Sequence, residues 1–197
     1  EKFRTLNMQN LGVGDAWDVI SGVDHLIAKG WVDESKVGSM GWSQGGYISA
    51  FLTTSSDRFA AISVGAGISN WETYYYNTDI TQFTRHYLGD HPTGDPEVYK
   101  KTSPMSYIRQ AKTPTLIQHG EFDRRVPIPN AYERRQGLED VGVPVEMIVY
   151  DGYGHGITRP KSQRAVMWHN LVWFNHYLFG DELPHLGDAH KQDQEEK

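Results

Sequence analysis

The chain has 197 residues, of which 38% are hydrophobic and 22% charged, the composition of a single globular domain with an apolar core. Its formal net charge of −6 argues against nucleic acid or an anionic membrane surface as a partner, and no apolar run approaches the ~18 residues of a membrane-spanning helix. Because the sequence contains no cysteine, disulfides, thiol catalysis and thiolate metal sites are excluded.

The first predicted helix spans Asp15–Lys29, where apolar residues such as Trp17 and Val23 recur at roughly helical spacing. Asp15 is suited to cap the start of this helix, and Gly30 stands where a left-handed residue would end it. These signals indicate an amphipathic helix with one face on the core.

A short apolar run, Val37–Trp42, leads into Gly41-Trp42-Ser43-Gln44-Gly45, and a helix is predicted from Gln44 to Thr54. Strand, G-x-S-x-G and helix in succession are the pattern of a nucleophile elbow. A serine on such a turn has a strained backbone, so residues two positions away must lack side chains. The pattern predicts that Ser43 is a nucleophile, although two glycines around a serine also make an ordinary turn.

Three further apolar strands are predicted at Ala60–Val64, Thr115–His119 and Val145–Tyr150. Between residues 68 and 114, prolines and glycines break the sequence into short, less regular pieces. One helix, Pro129–Val141, precedes the last strand, and a long helix, Pro160–Phe179, follows it. Four apolar strands separated by helices predict a parallel sheet covered by helices on both faces.

The two ends of the chain differ from this pattern. Glu1–Arg4 shows neither an initiator methionine nor a signal-peptide pattern, so we expect the chain to begin partway through a longer unit and to be cytoplasmic. Residues 181–197 are polar and end in charged side chains. We expect them to form a flexible tail after one folded domain over residues 1–180.

Three polar residues follow strands of the predicted parallel sheet, where functional groups of such sheets lie. Ser43 follows the first strand, Asp123 the third and His155 the fourth, in the order of an α/β-hydrolase triad. His155 would take the serine proton and later deliver it to the leaving group, while Asp123 would fix the imidazole tautomer. Alone, Asp123 fits a solvated turn and His155 a surface loop, but their shared placement favours the triad.

The remaining histidines do not show the spacing of a metal site. No pair has the His-x-x-x-His helical arrangement with a carboxylate that zinc sites use, so neither a metal nor a cofactor is expected. His119, at the end of the third strand, is expected to support the Asp123 loop rather than to bind a metal.

A family resemblance is carried by three segments, Trp42–Tyr47, His119–Pro127 and Gly154–Gly156. They resemble the catalytic domain of the prolyl oligopeptidase family of serine peptidases, most of all its dipeptidyl-peptidase and acylaminoacyl-peptidase branches. The resemblance runs from about residue 3 to residue 180. It implies an α/β-hydrolase fold in which Ser43, Asp123 and His155 are the triad.

The resemblance also implies residues that contact substrate. The backbone N–H of Gln44 would be one oxyanion donor. Arg125, with Val126 beside it, would bind a substrate carbonyl one residue before the scissile one, and Trp71 and Tyr74 would form an aromatic pocket. Core packing is an equal alternative for the two aromatic rings, and an ion pair is the alternative for Arg125.

The sequence departs from the family pattern in what it lacks. Family members carry a β-propeller before the hydrolase domain and further strands within that domain, and this chain shows neither. The loop that supplies the second oxyanion donor belongs to the missing half. The resemblance therefore predicts a truncated α/β-hydrolase fold, with a partial catalytic domain over residues 1–180 and no propeller.

The missing donor bears on the expected function, because losing one such donor costs roughly 10²–10³ in rate. An ester tolerates this loss better than an amide, since an alkoxide leaves more readily than an amine. We therefore expect a carboxylesterase acting on small acyl esters through an acyl-enzyme. The alternatives are a peptidase acting on short peptides and, from another class, an inactive module that only associates with partners.

The strand before Ser43 is expected to lie at a sheet edge, because its family partner belongs to the missing half. Buried groups left unpaired there would cost about 1–3 kcal/mol each, and Val37–Trp42 contains no proline or charge that would discourage pairing. Residues 3–8 could fold back as a substitute strand, or two chains could cover each other. We expect a homodimer through this edge.

Overall fold

The central sheet of the computed structural model, which describes residues 3–187, consists of four parallel strands. They are β1 (Gly38–Trp42), β2 (Ala61–Gly65), β3 (Thr115–Gly120) and β4 (Val145–Tyr150). Their order in the sheet is their order in the sequence. The predicted four-stranded parallel sheet is thus confirmed, with strand bounds that differ from the predictions by no more than one residue.

Seven α-helices connect and cover the strands within the described part of the chain. They are α1 (Val13–Ala28), α2 (Gln44–Ser55), α3 (Trp71–Asn77), α4 (Thr81–Leu88), α5 (Pro96–Thr102), α6 (Pro129–Asp140) and α7 (Pro160–Phe179). Short 3-10 helices cover Arg4–Asn7, Glu34–Lys36 and Pro104–Gln110. No helix among residues 3–187 is long and apolar enough to cross a membrane.

The stretch between residues 68 and 114 is more helical than its sequence suggests, because it contains α3, α4 and α5. The polar and proline residues there start helices rather than interrupt them. Asn70 accepts a hydrogen bond from the Glu72 N–H at 3.0 Å and caps α3, and Asp95 accepts one from the Val98 N–H at the start of α5. Pro96 occupies the first turn of α5, where its missing N–H costs nothing.

Helices pack on both faces of the sheet, as predicted. The side chains of Ile62 and Val64 pack in the same core cluster as α1 and α2. Ala61 of β2 and Leu116 of β3 point to the opposite face of the sheet, where they pack against Trp173 of α7. This alternation follows from the two-residue period of a strand, and it buries β2 and β3 completely.

One side of β1 has no neighbouring strand among the described residues, since the strand pairs with β2 alone. The Met40 side chain on this strand is 62% exposed. The N-terminal segment is not a substitute strand, because Arg4–Asn7 form a 3-10 helix and the Gln9 N–H donates to the Tyr87 carbonyl of α4 at 2.7 Å. The first of the two expected ways to cover this edge is therefore wrong for this structure.

The residues that follow α7 begin in contact with the domain. Leu186 is buried, and its carbonyl oxygen lies 2.9 Å from Nε2 of His169 on α7. The rest of the predicted tail, residues 188–197, lies outside the described residues, and the domain boundary at residue 180 stays a prediction.

Candidate active site

The turn between β1 and α2 holds Ser43 in a strained conformation. Its φ of 60° and ψ of −119° lie in a region that non-glycine residues rarely adopt. A Cβ atom on Gly41 would overlap the backbone of Gly45, and one on Gly46 would overlap the Gly65 carbonyl oxygen. Close backbone contacts therefore exclude a side chain at Gly41 and at Gly46. The expectation that Gly45 must also lack a side chain is wrong, because a Cβ added there meets no described heavy atom within 4 Å beyond its chain neighbours and its own helix backbone. The turn has the form of a nucleophile elbow.

Replacing Gly46 with alanine is expected to lower the free energy of unfolding by about 1–3 kcal/mol or more, the usual cost of overpacking. The Gly65 oxygen cannot move away freely, because it also accepts the Ser43 N–H at 2.9 Å. Gly45→Ala is the matched control, since no described heavy atom lies within 4 Å of its added Cβ. Denaturant unfolding of both variants measures the difference, and equal stabilities would contradict the packing described here.

The structure brings together the three residues of the expected triad. Nε2 of His155 lies 2.8 Å from Oγ of Ser43, and its Nδ1 lies 2.8 Å from Oδ2 of Asp123. An ionised carboxylate can only accept, so His155 Nδ1 carries the proton and its Nε2 lone pair faces the serine hydroxyl. This arrangement can move a proton from Ser43 onto His155.

Asp123 is held by the loop that follows β3. Its Oδ1 accepts the backbone N–H groups of Arg125 and Val126, both at 2.9 Å, while Oδ2 faces His155. The Asp123 side chain is fully buried, whereas that of His155 is 31% exposed. The Asp123 carboxylate is therefore held in place and shielded from solvent, whereas the His155 imidazole remains accessible from solvent.

The loop that carries His155 is tied to two strands. Trp42 of β1 donates its indole N–H to the His155 carbonyl oxygen at 2.8 Å, and its ring covers Gly65 of β2 so closely that a Cβ there would collide. A Cβ on Gly120, at the end of β3, would overlap the Gly154 carbonyl. These contacts hold the backbone of residues 154 and 155 against the ends of β1 and β3.

Gln44, the expected oxyanion donor, is the first residue of α2. The first N–H groups of a helix have no partner within the helix and carry its positive dipole end. Because Gln44 directly follows Ser43, its N–H is available where negative charge would develop on a substrate bound to the serine.

Of the four residues expected to contact substrate, three are buried and one is exposed. Trp71 and Tyr74 are 0% and 2% exposed, within the core cluster of α1 and α2, and the Trp71 ring packs edge-on against Tyr47 at 5.1 Å. Val126 is buried as well and contributes its backbone N–H to the Asp123 loop. Arg125 alone of these four is exposed near the triad.

Arg125 is held by the segment that follows α3. Its Nε donates to Oδ1 of Asp79 at 2.8 Å, and this hydrogen bond lowers the pKa of Asp79 and raises that of Arg125. The Thr78 hydroxyl donates to the Arg125 carbonyl at 2.8 Å, and the Asp79 N–H donates to the Arg124 carbonyl at 3.0 Å. The sequence pattern does not identify Asp79 as the ion-pair partner of Arg125, because the two residues are 46 positions apart in the chain.

A buried arginine behind the elbow was also missed by the sequence analysis. Arg134 of α6 is 0% exposed and donates to the Ser69 hydroxyl and to the Ala50 carbonyl of α2, both at 3.1 Å. Burial lowers the pKa of Arg134 to about 9. Its spacing from Ala131 and Leu138 places it on the buried stripe of α6, which is the signal that could have revealed it.

Comparison with known proteins gives a consistent result. A family model described as the prolyl oligopeptidase family matches residues 1–181. The acylamino-acid-releasing enzyme of Arabidopsis thaliana is 31% identical over 85% of this chain and 23% of that protein. The dipeptidyl-peptidase 5 of Porphyromonas gingivalis is 31% identical over 82% of this chain and 24% of that protein.

A solved structure shows the same fold. The acylaminoacyl peptidase of Pyrococcus horikoshii matches with a TM-score of 0.85 and 28% identity, over 96% of this chain and 32% of that chain. The present chain thus spans between 23% and 32% of the length of the relatives named here.

Proposed function

Because the chain belongs to the prolyl oligopeptidase family and has its α/β-hydrolase fold, we propose that it is a serine peptidase that cleaves short peptides. The observation that carries the proposal is the continuous hydrogen-bonded series from Ser43 through His155 to Asp123 on a nucleophile elbow. The relatives are named for acylaminoacyl and dipeptidyl substrates, so a substrate with one or two residues before the scissile bond fits best.

The proposed reaction has two halves. Ser43 attacks the scissile carbonyl while His155 accepts its proton, and the Gln44 N–H stabilises the oxyanion. His155 then gives the proton to the departing amine, and an acyl group remains on Ser43. In the second half, water loses its proton to His155 and releases the acyl group, while Asp123 stabilises the imidazolium in both halves.

Ester hydrolysis is the second candidate, by the same site. It was the first expectation from the sequence, and the relatives favour the peptidase alternative over it. The observation in its favour is that the Gln44 N–H at the start of α2 is the one oxyanion donor identified among the described residues. An ester is hydrolysed more readily than an amide at a site with a single donor, because an alkoxide leaves more easily than an amine. An activated ester is therefore a sensitive probe of the site.

Three chromogenic substrates distinguish the candidates. N-acetylalanyl p-nitroanilide and a free dipeptidyl p-nitroanilide report the two peptidase specificities, and p-nitrophenyl butyrate reports ester hydrolysis. Turnover of either anilide supports the peptidase. Hydrolysis of the butyrate alone favours the esterase, and failure of all three, together with no labelling of Ser43 by a fluorophosphonate, would favour the inactive module.

Arg125→Ala is expected to lower kcat/KM for the anilides about tenfold or more, the loss of one hydrogen bond to a charged group, and to leave the butyrate rate unchanged. The butyrate has no carbonyl for Arg125 to bind beyond the scissile one. Arg135→Ala is the matched control, since Arg135 is similarly exposed (52% against 47%) and also donates from Nε to a carboxylate at 2.8 Å. Equal losses on anilides and ester would contradict a substrate role for Arg125.

We further propose that two chains associate through the β1 edge. Two apolar grooves flank this strand, one lined by Val19, Val23 and Met40 and the other by Trp42 and Met167. Pairing of two β1 strands would satisfy the outer backbone groups and cover both grooves. Light scattering should show a dimer.

Met40→Lys, which puts a charge on this edge, should give a monomer. Tyr132→Lys, on the exposed side of α6, is the control and should remain dimeric. A wild-type monomer at micromolar concentration would overturn the proposed association.

A further inference from the structure

A second histidine lies beside the candidate catalytic acid. His119 is the penultimate residue of β3, and its side chain is completely buried. Its Nε2 lies 2.7 Å from the Val126 carbonyl oxygen and 3.5 Å from Oδ2 of Asp123. Asp123 therefore has an imidazole close to it on each of two sides, that of His119 and that of His155.

The protonation of His119 follows from these contacts. A carbonyl oxygen only accepts, so Nε2 of His119 must carry a hydrogen. Its Nδ1 is buried and has no hydrogen-bond partner among residues 3–187. A second proton placed on Nδ1 would therefore have no acceptor among them. Burial lowers the pKa of His119, so the ring is neutral and in the Nε2–H form at neutral pH.

The Val126 peptide group connects this ring to the acid. Its carbonyl accepts the His119 N–H, and the N–H of the same residue donates to Oδ1 of Asp123 at 2.9 Å. The two hydrogen bonds of the Val126 peptide group restrain residues 123–126 between β3 and the carboxylate, whose Oδ2 lies 2.8 Å from Nδ1 of His155. Without His119, the buried Val126 carbonyl would lose its partner and the carboxylate would lose this restraint.

We propose that His119 is a positioning residue for the triad: from the end of β3 it fixes the loop that aims Asp123 at His155. This inference rests on the proposed function, since it assigns a role in the same reaction. His119 does not face the substrate, because its ring is buried behind the acid. Its effect should therefore appear in kcat and leave KM unchanged.

Two substitutions at this position test the role. His119→Gln keeps an N–H at about the reach of Nε2, whereas His119→Leu removes the donor and fills similar space. We expect His119→Leu to lower kcat roughly 10- to 100-fold, the effect of misplacing a reacting group, with unchanged KM. His119→Gln should stay within about threefold of wild type.

His169→Gln is the control for replacing a buried histidine, since His169 is also buried but lies on α7. It should leave kcat unchanged. Equal losses in His119→Leu and His119→Gln, or a loss that follows only the melting temperature, would overturn the positioning role. So would a wild-type kcat in a folded His119→Leu variant.

Nitrogen-15 NMR of the imidazoles provides a readout that does not need turnover. His119 should show the Nε2–H tautomer at pH 8, and observation of the Nδ1–H tautomer would contradict the inference. Fluorophosphonate labelling separates the two possible failures. Normal labelling of Ser43 with no effect of His119→Leu overturns this role alone, whereas a wild-type chain that neither labels nor turns over substrate overturns the proposed function and this role with it.

Discussion

Ser43→Ala is expected to lower kcat about 10⁶-fold, the loss seen when a triad nucleophile is removed. The methyl group cannot attack the carbonyl, and no covalent acyl intermediate can form. His155→Ala should cost a similar factor, because the serine hydroxyl then keeps its proton and the two residues act as one unit. Both variants should fold, since neither side chain belongs to the apolar core.

The measurement combines anilide and ester turnover with fluorophosphonate labelling, and circular dichroism verifies the fold. Ser39→Ala is the control, because Ser39 lies on the same strand and hydrogen-bonds to the Ser49 hydroxyl at 3.1 Å. It should keep full labelling. An intact Ser43→Ala protein that retains wild-type turnover would show that the elbow is not the site of reaction.

Asp123→Asn is expected to lower kcat about 10⁴-fold. The reason lies in the two N–H groups, from Arg125 and Val126, that point at Oδ1. The asparagine oxygen must take that position, so its NH₂ group faces His155. The imidazole would then present a lone pair at Nδ1 and a hydrogen at Nε2, and it could no longer accept the Ser43 proton.

The tautomer change distinguishes this variant from a damaged fold. Asp57→Asn, which removes an exposed ion pair with Lys112, serves as the control and should keep its activity. The NMR signals of His155 should change from Nδ1–H to Nε2–H in Asp123→Asn. A loss smaller than about tenfold, or an unchanged tautomer, would be inconsistent with Asp123 as the orienting acid.

The sheet could be predicted closely because its strands read as short apolar runs, as is typical of parallel sheets, although only β2 and β3 are completely buried. Val145–Tyr150 was predicted with its observed bounds. The helices α3 and α5 were not resolved as helices, because seven residues are too few to show a period. The sequence left Trp71 and Tyr74 of α3 equally suited to a pocket and to the core, and their burial became visible only in the folded structure.

The proximity of the three candidate triad residues could be predicted for a related reason. Ser43, Asp123 and His155 each follow a strand, and the topology of a parallel sheet brings such positions to one edge. An ion pair was the expected alternative for Arg125, and the structure shows one with Asp79. This partner could not be predicted, since it depends on where α3 ends relative to residues 123–126. The expectation that His119 supports the Asp123 loop stays a proposal, and its contact with the Val126 carbonyl could not be predicted because it depends on how residues 123–126 fold.

The separation of Ser43 and His155 along the chain has a consequence for biosynthesis. The two residues lie 112 positions apart, which corresponds to roughly 6–22 s of translation at about 5–20 residues per second. Parallel strands also pair only through long crossovers, so their contacts form late. A nascent chain therefore carries its serine well before it carries the base that activates it. In the proposed reaction, Ser43 would become reactive only when β4 and the loop after it have joined the sheet, so the unfinished chain would not be exposed to an active hydrolase of its own making.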